Sequence, residues 1–284
     1  MKAEMFFRAL RNELLKLFSR RRSYLGFVVF VLAEFIVVWL WHSRVLKEPL
    51  AALLGENGLR WEDCSSALSI ASFAVSFGVG LVAGLYLALV AGDLVAKEFE
   101  EGTIRMVMAR PISRAQLFAV KAMASVVYTF VLALFVGASS LVVGWIGQHQ
   151  TGSMWVYHPL EKVSAVYPTG EGLQRYGLAI LILAVSYQVI SAMALMCSCM
   201  KIKPATATVV TLSYLSLDFG FYSIPFFAPQ HRWFLSHHIS CWVRVFQYDP
   251  PVHSIATSLV LLGAISASCW LIGLACFSAR DIKT

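Results

Sequence analysis

Lys97-Glu-Phe-Glu-Glu-Gly-Thr-Ile-Arg-Met-Val-Met-Ala-Arg-Pro-Ile-Ser-Arg114 separates two long apolar runs in a chain of 284 residues. Each of its charges would cost roughly 2.5 to 3.5 kcal/mol at the centre of a membrane helix, so the insert is read as an aqueous loop with local structure of its own. Gly102 breaks the acidic run, and Thr103 is placed to cap a short helix through Ala109. Pro111 stops that helix, because its ring disfavours helical geometry at Arg110 and its nitrogen has no proton to donate. Ser113 then starts another, with Gln116 completing a capping box and Ile112 just ahead as a hydrophobic staple. The short helix would carry Ile104, Val107 and Met108 on one side and leave Arg105 and Arg110 to meet an acidic partner.

The runs on either side set the class. The chain is 58% hydrophobic and only 14% charged, with a mean hydropathy of +0.70, whereas soluble proteins average about 25% charged residues. This is the composition of an all-α integral membrane protein, and no polar block is long enough for a separate soluble domain, so residues 1–284 are expected to form a single membrane domain. A net charge of +7 is a feature of nucleic-acid binders, but asymmetric loops explain it better here, and no nucleic-acid partner is expected.

Six spans are read at about residues 23–41, 67–92, 115–146, 173–200, 205–227 and 254–278. Ahead of them, Phe6, Phe7, Leu10, Leu14, Leu17 and Phe18 fall on one arc of a helix over residues 1–22, with Arg8, Arg11 and Lys16 pointing elsewhere. That pattern suits an in-plane helix on membrane lipid, retained rather than cleaved as a signal. Residues 42–66 read as a polar loop, 147–172 as irregular or interfacial, and 228–252 as short interfacial helices. Gly80 and Gly84 have the spacing of a close helix contact. On this layout 16 of the 23 Lys and Arg fall on one face, which the positive-inside rule makes cytoplasmic, together with both termini. The expected setting is therefore the cytoplasmic (inner or plasma) membrane, crossed several times; a bacterial membrane is a separate expectation.

Glu98, Glu101-Gly102-Thr103, Pro111-Ile112-Ser113-Arg114 and Lys121 resemble the pattern of ABC-2 type transporter permeases, closely over residues 98–121 and loosely, through the span layout, over the whole chain. The resemblance implies an exporter permease subunit, paired with a second copy or a paralogue and with separate ABC ATPase subunits. It also implies an elbow helix at residues 1–22 and a coupling helix between spans 2 and 3, docked on the ATPase. Glu98, Glu101, Gly102, Thr103, Arg105, Pro111, Ser113 and Arg114 are the contact residues it points to. Glycine permits the turn, the arginines supply charge pairing, and Pro111 and Ser113 set the junction to the third span.

No Gly in the chain is followed by Lys, so there is no phosphate-binding loop of the usual kind. The chain is expected to bind no cofactor and to be no enzyme by itself, with ATP and Mg on the partner. Glu34 and Asp218 are the acidic residues placed inside spans, where a carboxylate is a functional candidate by default. A membrane enzyme or a non-transporting anchor that recruits an ATPase are the alternatives, and the former would need more than these two groups. His237, His238 and Cys241 lie close in sequence, but their spacing matches no standard zinc pattern, so no metal is expected there. Cys64 and Cys241 are the cysteines placed outside, and a bridge between them is left open.

Overall fold

A computed structural model describes residues 2–56, 58–78, 82–104, 112–148, 152–161 and 163–280. The longest helix, α7 (Arg114–Gly147), shows why the apolar runs fold as they do. Ser113 accepts a hydrogen bond from the Gln116 amide at 3.2 Å while the Gln116 side chain accepts one from the Ser113 amide at 3.3 Å, so the capping box forms. From there Leu117, Lys121, Ala124, Tyr128, Leu132 and Val136 recur at three- and four-residue intervals and are buried. At 1.5 Å per residue this helix is about 50 Å long, enough to cross a bilayer.

Before it come α1 (Lys2–Ser19), α2 (Arg21–His42), α3 (Arg44–Glu56), α4 (Trp61–Cys64), α5 (Ala67–Gly78) and α6 (Gly84–Glu100). After it come an antiparallel hairpin of β1 (Met154–His158) and β2 (Val163–Tyr167), then α8 (Thr169–Ser186), α9 (Gln188–Cys199) and α10 (Pro204–Ser223). Two 3-10 segments, Pro225–Trp233 and Ser240–Phe246, flank α11 (Leu235–Ile239), and α12 (Val252–Ala279) ends the chain. Four stretches are long and apolar enough to span a membrane: Arg22–His42, Arg114–Gly147, Thr169–Cys199 and Val252–Ala279. α5 is a shorter apolar helix.

The helices meet at two ends. At one, α1, the close of α6, the start of α7 and the close of α9 and α12 are joined by the ion pairs and caps described below. At the other, Trp41 donates to Ser65, Ser65 donates to Gln148 at 2.7 Å, and Ser66 donates to the Ser153 carbonyl at 2.9 Å. Arg175 there donates to the carbonyls of Val245 and Gln247. Where α5 crosses α7, a Cβ on Gly144 would lie 2.4 Å from the Ala67 carbonyl oxygen, so the contact requires glycine. Gly84 meets only an ordinary contact, Ile190 at 3.8 Å, and Gly80 lies outside the described residues.

Several expectations are corrected. Residues 42–66 are not simply a polar loop: α3 buries Leu50 and Leu54, one turn apart, beside Trp41, and the apolar spacing Leu46, Leu50, Leu53, Leu54 carried that signal. Residues 147–172 are not irregular throughout but contain a hairpin in register Met154 with Tyr167 and Val156 with Ala165, a small addition to a fold that is otherwise helical, as expected of an all-α membrane protein. Its strands are rich in Val and aromatic residues, which favour pleated, half-buried positions. Helix α10 ends at Ser223, not at 227, because Pro225 restricts Ile224 to extended geometry. The arc on α1 packs largely on protein: Leu17 is buried and Leu10, Leu14 and Phe18 lie against the core, while Met5, Phe7 and Leu15 are exposed. Replacing Gly144 with valine should force α5 from α7 and destabilise the protein by about 1–3 kcal/mol. Thermal unfolding in detergent would register this as a clear drop in midpoint.

Candidate functional site

Helix α6 closes at Glu100, and the chain turns through Gly102 at φ +70°, the left-handed region. A residue with a Cβ costs roughly 1–2 kcal/mol there, whereas glycine enters freely. Glu100, Glu101 and Gly102 are exposed at this turn, and Ile104 tucks into the core. The Thr103 hydroxyl donates back to the Glu98 carbonyl at 3.4 Å. Arg105 and Pro111, with the rest of 105–111, lie outside the described residues. The chain returns at Ile112, packed against the core, and at the exposed cap Ser113.

Behind the turn lies a buried charge cluster. Lys121 is 0% exposed, and its Nζ lies 2.9 Å from each of Glu13 Oε1, Glu98 Oε2 and the Leu94 carbonyl oxygen. Glu98 is 1% exposed, and its other oxygen pairs with Lys16. Three elements are thereby tied together: α1 through Glu13 and Lys16, α6 through Glu98, and α7 through Lys121. Burial pushes the Glu98 carboxyl up, but the charges of Lys121 and Lys16 outweigh it and hold the group below the usual carboxylate value. Glu98, expected among the outward contacts, therefore faces inward, and Lys16, expected to point away from the apolar arc, is half-buried against Glu98. Arg22, itself exposed, adds a longer pair at 3.2 Å to the buried Asp93.

A second clamp holds the end of α12. Arg114 donates to the Ser278 and Arg280 carbonyls at 2.6 and 3.2 Å, satisfying groups that a helix C-terminus leaves open. Arg280 in turn stacks over the Phe99 ring, 3.6 Å from its centroid, and donates to the Met200 carbonyl at 2.9 Å. Arg114 thus serves an internal contact. Among the described residues of the expected surface, Glu101, Gly102 and Ser113 are exposed.

The two carboxylates assigned to spans are not brought together. Glu34 is 1% exposed against α7, its Oε1 accepting from Ser139 and Ser140 at 2.7 and 2.8 Å, while its Oε2 is buried without a partner. Asp218 instead caps α11, accepting from the Leu235 and Ser236 amides at 3.0 and 2.6 Å. The residues weighed for a metal do not converge either. Arg244 puts a guanidinium nitrogen 2.8 Å from a His237 ring nitrogen, His238 is engaged by Ser258 and the Arg232 carbonyl, and Cys241 contacts Ser186 at 3.3 Å. Burial and the Arg244 charge push His237 down to about 4. Among the described residues no group of three or more His, Cys, Asp or Glu could hold a metal ion. Cys64 and Cys241 are not bridged.

The sequence missed the partners of Lys121, although a signal was present: a lysine on the stripe Leu117, Ala124, Tyr128 has to find an acid inside the protein. It also missed Arg244, which pairs with Glu161 at 3.2 Å and ties the hairpin turn to Ser254 of α12.

Four membrane-length apolar helices and a charged, glycine-turned insert held between them define a polytopic membrane protein. Residues 9–217 match the family described as ABC-2 family transporter protein, and the chain belongs to that family. No curated protein matches it. Family members are membrane components of transporters, generally not catalytic themselves, that work with an ABC ATPase.

Two outcomes follow from these geometries. The folded-state value of Glu98 is depressed, so its contribution to stability is complete above the unfolded value of 4.5 and is lost as pH falls through the lower folded one. Hydrogen exchange in α1, corrected for intrinsic rates, should thus show constant protection from about pH 8 to about pH 5 and weaken only in stronger acid. Replacing Arg244 with methionine leaves Glu161 as a buried, uncompensated charge, a loss of about 3–5 kcal/mol. Its thermal midpoint should fall well below that of Arg244→Lys.

Proposed function

We propose that the chain is the permease subunit of an ABC-2 type exporter, coupled to a separate ATPase subunit that carries ATP and Mg. It works as a pair, with a second copy or a paralogue, in the cytoplasmic membrane of a bacterium. Six spans cross the membrane: α2, α5 with α6, α7, α8 with α9, α10, and α12. Both termini and the insert face the cytoplasm, and α1 is the elbow helix, resting its exposed Met5, Phe7 and Leu15 on lipid. The observation that carries the reading is the exposed turn at Glu101-Gly102, fixed between two buried clamps in a chain of the ABC-2 family.

The ATPase grips this turn and the following residues, with Glu101, Gly102, Thr103, Arg105, Pro111 and Ser113 at the contact. When ATP closes the ATPase pair, the grip shifts the balance between two arrangements of the bundle. The structure gives an enzyme reading no support, since Glu34 and Asp218 serve separate contacts.

A Cβ on Gly102 would meet nothing within 4 Å, so Gly102→Val acts through backbone strain alone. The variant should reach the membrane at normal level. In liposomes with the partner ATPase, it should lose the change in ATP turnover that the wild-type permease produces. Wild-type behaviour in that assay would count against docking at this turn.

A further inference from the structure

We propose that Lys121 is a positioning residue that makes the N-terminal helix part of the coupling apparatus: with Glu98, Lys16 and Glu13 it welds α1, the end of α6 and the start of α7 into one rigid body. The inference rests on the docking reading above and deepens it, because the weld lies within one helical turn of the exposed Glu101-Gly102 turn. Glu98 is therefore not a partner contact but the inner anchor of the turn.

The geometry leaves little freedom. The Lys121 ammonium lies 2.9 Å from three oxygens: it donates hydrogen bonds to Glu13 and the Leu94 carbonyl and forms an ion pair with Glu98, so two carboxylates from different helices share its charge. Each Glu98 oxygen faces a different lysine, one on α1 and one on α7. Glu98 and Lys121 are also the first and last residues of the motif stretch, so the insert between them is closed at its base by their own ion pair. A load on the turn cannot move α6 alone, because freeing Lys121 or Glu98 would leave a buried charge unpaired. Displacement is thus handed at once to α7 and to α1. The α6 backbone is pinned a turn and a half earlier, where the Ser198 hydroxyl accepts from the Val95 and Ala96 amides and donates to the Gly92 carbonyl.

The test is a distance measurement between nitroxide labels at the exposed positions Asn12 on α1 and Glu100 on α6. It is made on the full chain in lipid nanodiscs, alone and with its ATPase trapped by ATP and vanadate. The wild type should give one narrow distribution that is the same in both states. Lys121→Met should broaden it and make it nucleotide-dependent, Lys121→Arg should restore it, and the half-exposed Lys16→Met should broaden it to a lesser degree. Permease-dependent change in ATP turnover should fall about tenfold in Lys121→Met, within the range of coupling between sites. A narrow, unchanged distribution in Lys121→Met would overturn the weld. If that variant does not fold, the same outcome in Lys16→Met decides the matter. Failure of the ATPase to associate would sink the docking reading instead, and the permease-only arm would still judge the weld.

Discussion

An ammonium group with no exposed surface is tolerated in a protein only when its charge is paired and hydrogen-bonded. Lys121 satisfies that condition with Glu13, Glu98 and the Leu94 carbonyl, and by doing so dictates where three helices lie. The end of α6 cannot slide along α7 without parting Glu98 from Lys121, and α1 cannot lift away without removing Glu13 from Lys121 and Lys16 from Glu98. The clamp of Arg114 and Arg280 then fixes the close of α12 to the same place. One end of the bundle is thus held by charge, while the helices leading away from it are held by apolar stripes and small-residue contacts such as Gly144 on Ala67.

This division suits a membrane protein that must move. Apolar helix faces in lipid gain little from one another beyond close packing, so their relative tilt is soft. Buried ion pairs are the opposite, directional and intolerant of partial separation. A protein that receives a push at one end and reshapes its apolar bundle would place rigidity where the push arrives and compliance further on. The exposed turn at Glu101 and Gly102 lies where the rigid part meets solvent.

What could be read beforehand was local. The Ser113 capping box and the α7 boundaries follow from a few adjacent residues and from period. So do the helix over the first residues and the turn at Gly102. What could not be read were partners distant in sequence. Lys121 and Glu13 are 108 residues apart, and no spacing rule joins them. Glu98 and Arg114 flank the insert and so look like outward contacts, yet each finds a nearer internal cation or acceptor. Asp218 is similar, since its place in an apolar run hid that α11 would bring two open amides to it. The hairpin and α3 were legible in principle, but polar residues scattered through both segments masked their periodicity.

The sidedness of the turn decides between this account and any other. Glu101→Cys, treated with a membrane-impermeant maleimide, should be labelled in inverted membrane vesicles and spared in intact cells. Labelling in intact cells would put the insert on the external face, out of reach of any ATPase, and would contradict the coupling role assigned to it.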